Sequence, residues 1–171
     1  MTSEKPITPP DAARLRRAWT GLVIEVFRLN GDLLAAGDAL VGDLGLTSAR
    51  WQVLGAIALS PVPLPVAHIA RNMGLTRQAV QRVVDDMRAD GLVRLEPNPY
   101  HRRAMLVVTT EAGEAVYRAA SARQERWADA LAAGLSAERV EATSALLREM
   151  QRRLDEARAL TSKSQSQTEG A

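Results

Sequence analysis

Residues 64–110 read LPVAHIARNMGLTRQAVQRVVDDMRADGLVRLEPNPYHRRAMLVVTT, and their local signals predict the architecture of the central region. We expect Gly74 to end a short helix, because glycine adopts the left-handed conformation at little cost. Thr76 should cap a second helix, since its hydroxyl can accept a hydrogen bond from a free backbone N–H. Asp90 and Gly91 should stop that helix. The stretch therefore predicts a helix, a tight turn and a second helix, followed by a two-stranded hairpin with a basic tip.

The second helix divides into an apolar and a polar face. Its apolar positions recur at the spacing of one helical stripe: Val80, Val83, Val84 and Met87. Its first two exposed turns carry long polar side chains: Arg77, Gln78, Gln81 and Arg82. Such side chains can contact base edges, which present hydrogen-bond donors and acceptors in the DNA major groove. With Ala70 and Val80 at the expected helix crossing and Gly74 in the turn, the pattern resembles a DNA-binding helix-turn-helix motif.

A basic hairpin tip follows, PNPYHRR at residues 97–103. The flanking segments, residues 92–96 and 104–109, have the β-branched and alternating character of short strands. The tip contains three candidate DNA contacts: His101, Arg102 and Arg103. A narrow minor groove has an enhanced negative potential, which attracts inserted arginine side chains. The alternative is that the tip is charged only for solubility.

Composition excludes several other classes of protein. The 171 residues contain no cysteine, so disulfides and thiolate metal sites are ruled out. The two histidines, His68 and His101, fall on different predicted elements, which argues against a zinc site. The sequence has no signal pattern and no apolar run long enough for a membrane span, so we expect a cytoplasmic protein. We find no catalytic motif and expect neither a cofactor nor enzymatic activity.

Long helices are predicted on both sides of this central region. We divide the chain into a disordered arm (1–10), a DNA-binding domain (44–110) flanked by helical segments (11–43 and 111–160), and a disordered tail (161–171). Asp11 should cap the first helix, which could kink at Asn30 and Gly31 and should end near Asp43. Its apolar positions form one continuous stripe: Leu15, Ala18, Trp19, Leu22, Val26, Leu29 and Leu33. The small central domain cannot cover so long a stripe, so we expect these helices to form a homodimer.

These motifs together resemble the MarR family of winged helix-turn-helix regulators. The resemblance rests on residues 45–54, GLTSARWQVL, on the helix-turn-helix stretch and on NPYHRRAMLVVTTEAG. It implies a mainly α-helical, dimeric fold with a small β-hairpin wing, and a homodimer that binds an inverted-repeat operator in double-stranded DNA, probing the minor groove with Arg103. The family's recognition-helix positions correspond here to Thr76, Arg77, Gln78, Gln81 and Arg82. His101 stands where the family's wing usually carries an acidic residue.

The resemblance also implies a small phenolic or aromatic carboxylate effector that releases DNA. Trp19 and Trp51 are candidates to line its pocket, and His68 or Arg16 could meet a carboxylate. A tryptophan on an apolar stripe is also an ordinary core residue.

Two functions remain open from the residues. The first is a sequence-specific transcription regulator, most simply a repressor. The alternative is a winged-helix protein–protein interaction module that binds no DNA. Such a module tends to present an acidic or apolar helix, whereas this helix begins with arginine and glutamine. A steep loss of binding with added salt would favour the DNA-binding function.

Overall fold

The structure is a computed structural model that describes residues 9–101 and 103–168. Its elements follow in chain order: α1 (Pro9–Val41), a 3₁₀ turn (Gly42–Leu44), α2 (Ser48–Ala58), β1 (Leu64–Pro65), α3 (Val66–Met73), α4 (Arg77–Ala89), β2 (Val93–Glu96), β3 (Leu106–Thr109), α5 (Glu111–Ala132) and α6 (Ala137–Thr168). The chain divides into two compact units, Met1–Arg126 and Trp127–Ala171. The mainly helical fold with a small antiparallel wing is therefore as the sequence predicts.

The first unit has a core that α2, α3, α4 and the sheet share. Its fully buried side chains include one or more from each of these elements: Val53, Leu54, Ile69, Val80, Val84, Met87, Val93 and Val107. The valines and methionine of α4 belong to the stripe expected from the sequence, and Val83 packs partly buried beside them. Burial of this apolar face holds α4 against the core, and the opposite face of the helix remains in contact with solvent.

The sheet has three strands in the order β1-β3-β2, one more than the predicted hairpin. Leu64 pairs with Val107 and Pro65 with Leu106, so these two residues form an edge strand that the sequence analysis did not predict. Proline is tolerated there because an edge strand does not need every N–H for pairing. Pro65 is also the N-cap residue of α3.

Both hairpin strands start later than the sequence suggests, for a local reason. The Leu92 N–H donates to Met87 O at the end of α4, 2.9 Å away, and the Ala104 N–H donates to His101 O within the tip, 3.0 Å away. Each backbone group is already used in a turn, so β2 begins at Val93 and β3 at Leu106.

Helix α1 differs from its prediction at both ends. It begins at Pro9, so Asp11 lies in its first turn instead of capping it. It ends at Val41, and one 3₁₀ turn then leads to Gly45, whose φ of 72° is left-handed. The helix runs without a break through residues 30 and 31.

Helix α6 extends to Thr168, so residues 161–168 are helical where the sequence predicts a disordered tail. They contain neither glycine nor proline, and an established helix gains one hydrogen bond for each residue added. Residues 1–8 and 169–171 of the predicted arm and tail lie outside the described residues. No helix between residues 9 and 168 is long and apolar enough to cross a membrane.

Candidate nucleic-acid interface

The turn between α3 and α4 is built as the sequence predicts. Gly74 adopts φ 65° and ends α3. Its N–H donates to Arg71 O at 3.2 Å, and the Leu75 N–H donates to Ala70 O at 2.9 Å, the pair of bonds of a Schellman motif. The Thr76 hydroxyl then accepts from the Ala79 N–H at 3.2 Å, which confirms the predicted N-cap. The helices are thus joined by a three-residue turn whose backbone groups are satisfied.

Helix α4 presents its polar residues on one side of its first two turns. Thr76, Arg77, Gln78 and Arg82 are exposed, and Gln81 is half-buried. The Gln81 side-chain amide donates to Asp85 Oδ1 at 3.1 Å, which fixes its orientation along the helix. Neither Arg77 nor Arg82 forms an ion pair with any residue that the structure describes. Their guanidinium groups are therefore available to an external acceptor.

The wing is anchored at its base by Thr110. The Thr110 hydroxyl donates to Gly91 O at 2.6 Å and accepts from the Gly113 N–H at 3.1 Å. Its backbone N–H donates to Leu92 O at 3.1 Å. One residue thus joins the end of α4, the start of β2 and the start of α5, and it caps α5.

The wing tip is a turn stabilised by Asn98. The Asn98 side-chain oxygen accepts from the Tyr100 N–H at 2.9 Å, and the Asn98 carbonyl accepts from the His101 N–H at 3.3 Å. His101 and Arg103 are exposed. The third predicted tip contact, Arg102, lies outside the described residues. The tip therefore presents its side chains from a hydrogen-bonded backbone.

A groove of about 980 Å³ separates the wing from the helix-turn-helix. It brings together five of the predicted site residues: His68, Arg77, Gln81, His101 and Arg103. Its floor is apolar and includes Leu64, Leu95 and Leu106. No aspartate or glutamate is among its lining residues in the described part of the chain. The nearby Glu96 carboxylate is paired with Arg94, 2.7 Å away. The groove is thus suited to a polyanion.

Two ion pairs connect the elements that support this surface. Arg50 of α2 lies 2.7 Å from the Asp90 carboxylate at the end of α4. Arg123 of α5 forms a two-pronged pair with Asp43, and also donates to Leu40 O at 3.0 Å. The hydrogen bond from Arg123 lowers the pKa of Asp43 below its ordinary value of 3.8, and the charge of Arg123 acts in the same direction. Arg123 thereby attaches α5 to the end of α1.

The four candidate effector residues do not gather in one cavity. His68 is exposed and lines the wing groove, so the structure groups it with the predicted DNA contacts. Trp51 is half-buried against the core of the first unit. Trp19 and Arg16 are exposed on α1, with Trp19 36% accessible. A pocket formed by one chain alone is therefore not evident from these residues.

Two features were not predicted from the sequence: His68 lines the wing groove, and the side chain of Tyr100 is almost fully exposed. The position of His68 depends on β1, whose pairing with β3 is not a local signal. Tyr100 could have been singled out as an aromatic residue in a turn that prolines and basic residues otherwise dominate. No metal-binding cluster of His, Asp or Glu occurs among residues 9–101 and 103–168 as far as they are described.

The short α3–α4 turn, the exposed polar edge of α4 and the wing define a winged helix-turn-helix protein. The profile of the MarR family matches residues 44–104. An uncharacterised protein of Mycobacterium tuberculosis is 41% identical over 114 residues, 64% of this chain and 78% of that protein. The transcriptional activatory protein BadR of Rhodopseudomonas palustris is 28% identical over 120 residues, which cover 68% of this chain and 69% of the BadR chain. The chain belongs to the MarR family of transcription regulators.

Solved structures show the same fold. The transcriptional regulator MosR of M. tuberculosis was solved in complex with DNA. It matches with a TM-score of 0.66 at 24% identity, and the match covers 77% of this chain and 96% of the MosR chain. CouR from Rhodococcus jostii, solved with p-coumaroyl-CoA, has a TM-score of 0.68 at 23% identity, covering 75% of this chain and 90% of its own.

Proposed function

We propose that this protein binds double-stranded DNA as a homodimer at an inverted-repeat operator and represses transcription there. The observation that carries the proposal is the groove between α4 and the wing. Above its apolar floor the charged side chains that line it are Arg77 and Arg103, with His68 and His101 beside them, and no described carboxylate lines it. Such arginines attract phosphates and release their counterions on binding.

Each part of the surface has a proposed role. The N-terminal turns of α4 enter the major groove, where Arg77, Gln78 and Arg82 contact base edges. Thr76 and Gln81 lie on the same polar side of α4. Arg103 enters the adjacent minor groove from the wing, with His101 and Arg102 beside it. MosR, which was solved with DNA bound, supports this arrangement through its shared fold.

The exposed apolar side chains of α1 support the homodimer. Leu15, Leu29 and Leu33 are 58%, 56% and 46% exposed in the single chain. Large apolar surfaces of this kind usually mark an interface. A two-fold pair would place its recognition helices about 34 Å apart, one turn of duplex DNA, which matches an inverted repeat.

Repression is the simpler direction of control. A dimer that covers a promoter excludes polymerase with the DNA-binding surface alone, whereas activation needs a further surface for polymerase. BadR is named as an activatory protein, so the direction needs its own test. In transcription reactions with purified polymerase and a promoter containing the operator, we expect added protein to lower transcript yield. A rise in yield would identify an activator.

We also propose a small aromatic or phenolic effector, supported by the p-coumaroyl-CoA bound to CouR. In this proposal the homodimer completes the pocket: the effector binds next to Trp19 or Trp51 and changes its fluorescence, and Arg16 pairs with the carboxylate of the effector. Titration with p-coumarate should change tryptophan fluorescence and release DNA. Unchanged fluorescence and unchanged DNA affinity with both p-coumarate and p-coumaroyl-CoA would contradict this part of the proposal.

Selection of duplexes from a random pool tests the DNA-binding proposal directly. We expect enrichment of a two-fold-symmetric consensus and a steep fall of affinity with salt. A protein–protein interaction module would enrich no sequence and show no such salt dependence.

A further inference from the structure

Tyr100 stands out among the side chains of the first unit. It is 90% exposed, more than any other large apolar or aromatic side chain whose exposure the structure describes. Its hydroxyl forms no hydrogen bond with another described residue. A tyrosine is an amphipathic group whose ring favours burial and whose hydroxyl favours a polar partner. Tyr100 has neither in the isolated chain.

The backbone that carries Tyr100 is nevertheless held in place. Its N–H donates to the Asn98 side chain at 2.9 Å, and the Ala104 N–H donates to His101 O at 3.0 Å. Pro97 and Pro99 on either side of Asn98 restrict the backbone further, because the proline ring fixes φ. A partner that binds Tyr100 therefore orders one side chain and little of the main chain, which keeps the entropic cost of binding low.

The surroundings of Tyr100 indicate the chemistry of that partner. Tyr100 lines the same groove as Arg77 of α4 and Arg103 of the wing. No acidic residue occurs from Pro97 to Thr110. A phosphodiester strand that contacts both arginines therefore lies in the groove that Tyr100 also lines, and no carboxylate on this segment repels it.

We propose that Tyr100 is a DNA-backbone contact: its hydroxyl donates a hydrogen bond to a phosphate oxygen, and its ring covers the neighbouring deoxyribose. The inference rests on the proposed DNA-binding function and adds a residue to it. Tyrosine hydroxyls are among the groups that contact phosphates in protein–DNA complexes. Bases in a duplex are stacked on each other, so the sugar is the apolar surface that this ring can cover.

The salt dependence of binding distinguishes an uncharged contact from a charged one. Arg103 displaces a cation when it neutralises a phosphate, so Arg103→Ala should reduce the slope of log affinity against log salt by about one. Tyr100 displaces no cation. Its removal should weaken binding equally at every salt concentration and leave the slope unchanged.

The test uses the full chain and a duplex that the wild-type protein has selected from a random pool. We expect Tyr100→Phe to bind about tenfold more weakly, the effect of one hydrogen bond to a charged group. Tyr100→Ala should bind more weakly still, and both variants should keep the wild-type salt slope. Leu59→Ala is the matched control, because Leu59 is 84% exposed and does not line the groove. We expect its affinity to equal that of the wild type.

The outcomes separate this inference from the proposed function. If the wild-type protein binds the duplex and Tyr100→Phe binds equally well, the hydroxyl contact is overturned and the proposed function stands. A reduced salt slope in Tyr100→Phe would also overturn it. If the wild-type protein selects no duplex, the proposed function fails, and the contact fails with it. Unfolding curves of both tyrosine variants should match the wild type, since the side chain has no described packing partner.

Discussion

Gly113 is a single position on which the placement of the wing depends. It is buried at the start of α5, and an added Cβ would overlap the carbonyl oxygen of Leu92. That neighbour is backbone and cannot rotate away. We expect Gly113→Ala to lower the free energy of unfolding by about 1–3 kcal/mol, the usual cost of overpacking. Urea unfolding followed by circular dichroism measures it.

Gly31→Ala provides the control, because no atom lies within 4 Å of a Cβ added there. In a helix this change should be neutral or should stabilise by up to about 1 kcal/mol. Equal stabilities of the two alanine variants would show that α5 does not approach Leu92 as closely as described.

The polar residues of α4 and the wing arginine should differ in what they recognise. Arg82→Ala or Gln78→Ala should change the preference among operator variants, with about 1–3 kcal/mol lost at one base position. Arg103→Ala should weaken binding to all variants. Gel shifts with a set of singly substituted operators make the comparison. Arg88→Ala, exposed at the other end of α4, is the control. Unaltered affinities in all three test variants would refute the assigned roles.

At the scale of whole elements, the Asp43–Arg123 pair should make stability depend on pH at the acid end. Arg123 lowers the pKa of Asp43 in the folded protein. The stabilisation is therefore complete above the ordinary value of 3.8 and is lost as pH falls through the lowered pKa. Asp43→Asn should unfold more easily than the wild type at pH 7. The difference should narrow below about pH 3.8.

Urea unfolding at several pH values measures that difference. Asp32→Asn on α1 is the control, because Asp32 is exposed and forms no ion pair with a described residue. A wild-type-to-variant difference that stays constant down to about pH 2 would mean that the pair contributes nothing to folding.

The elements that the sequence predicts well are those whose signals are local. Gly74 and Thr76 form their predicted caps because each bond joins residues no more than five positions apart in the sequence. Strand β1 was missed because Leu64 pairs with Val107, far along the chain. The place of His68 in the groove follows from that pairing and was missed with it. The ends of α1 differ from the prediction because the helix begins at Pro9 and a 3₁₀ turn follows Val41, and the apolar pattern signals neither feature.

At the scale of the whole molecule, the apolar face of α1 leads to a prediction about assembly. Leu29 and Leu33 are about half exposed in the single chain, at 56% and 46%. A carboxylate at either position would be desolvated in an interface. We expect Leu29→Glu and Leu33→Glu to convert a dimer to a monomer in sedimentation experiments and to lose affinity for the two-fold operator.

Asp32→Ala, at a polar position of the same helix, should remain dimeric. A wild-type protein that sediments as a monomer at every concentration tested would remove the homodimer from the proposed function, and with it the expected spacing of half-sites.

Thr110 lies where the end of α4, the wing and α5 meet. Its hydrogen bonds join Gly91 and Leu92, between α4 and the wing, to the first turn of α5. Because these bonds span the base of the hairpin, we expect a tilt of α5 to move the wing with it. An inducer of such a protein would need no contact with the DNA-binding surface in order to change its shape.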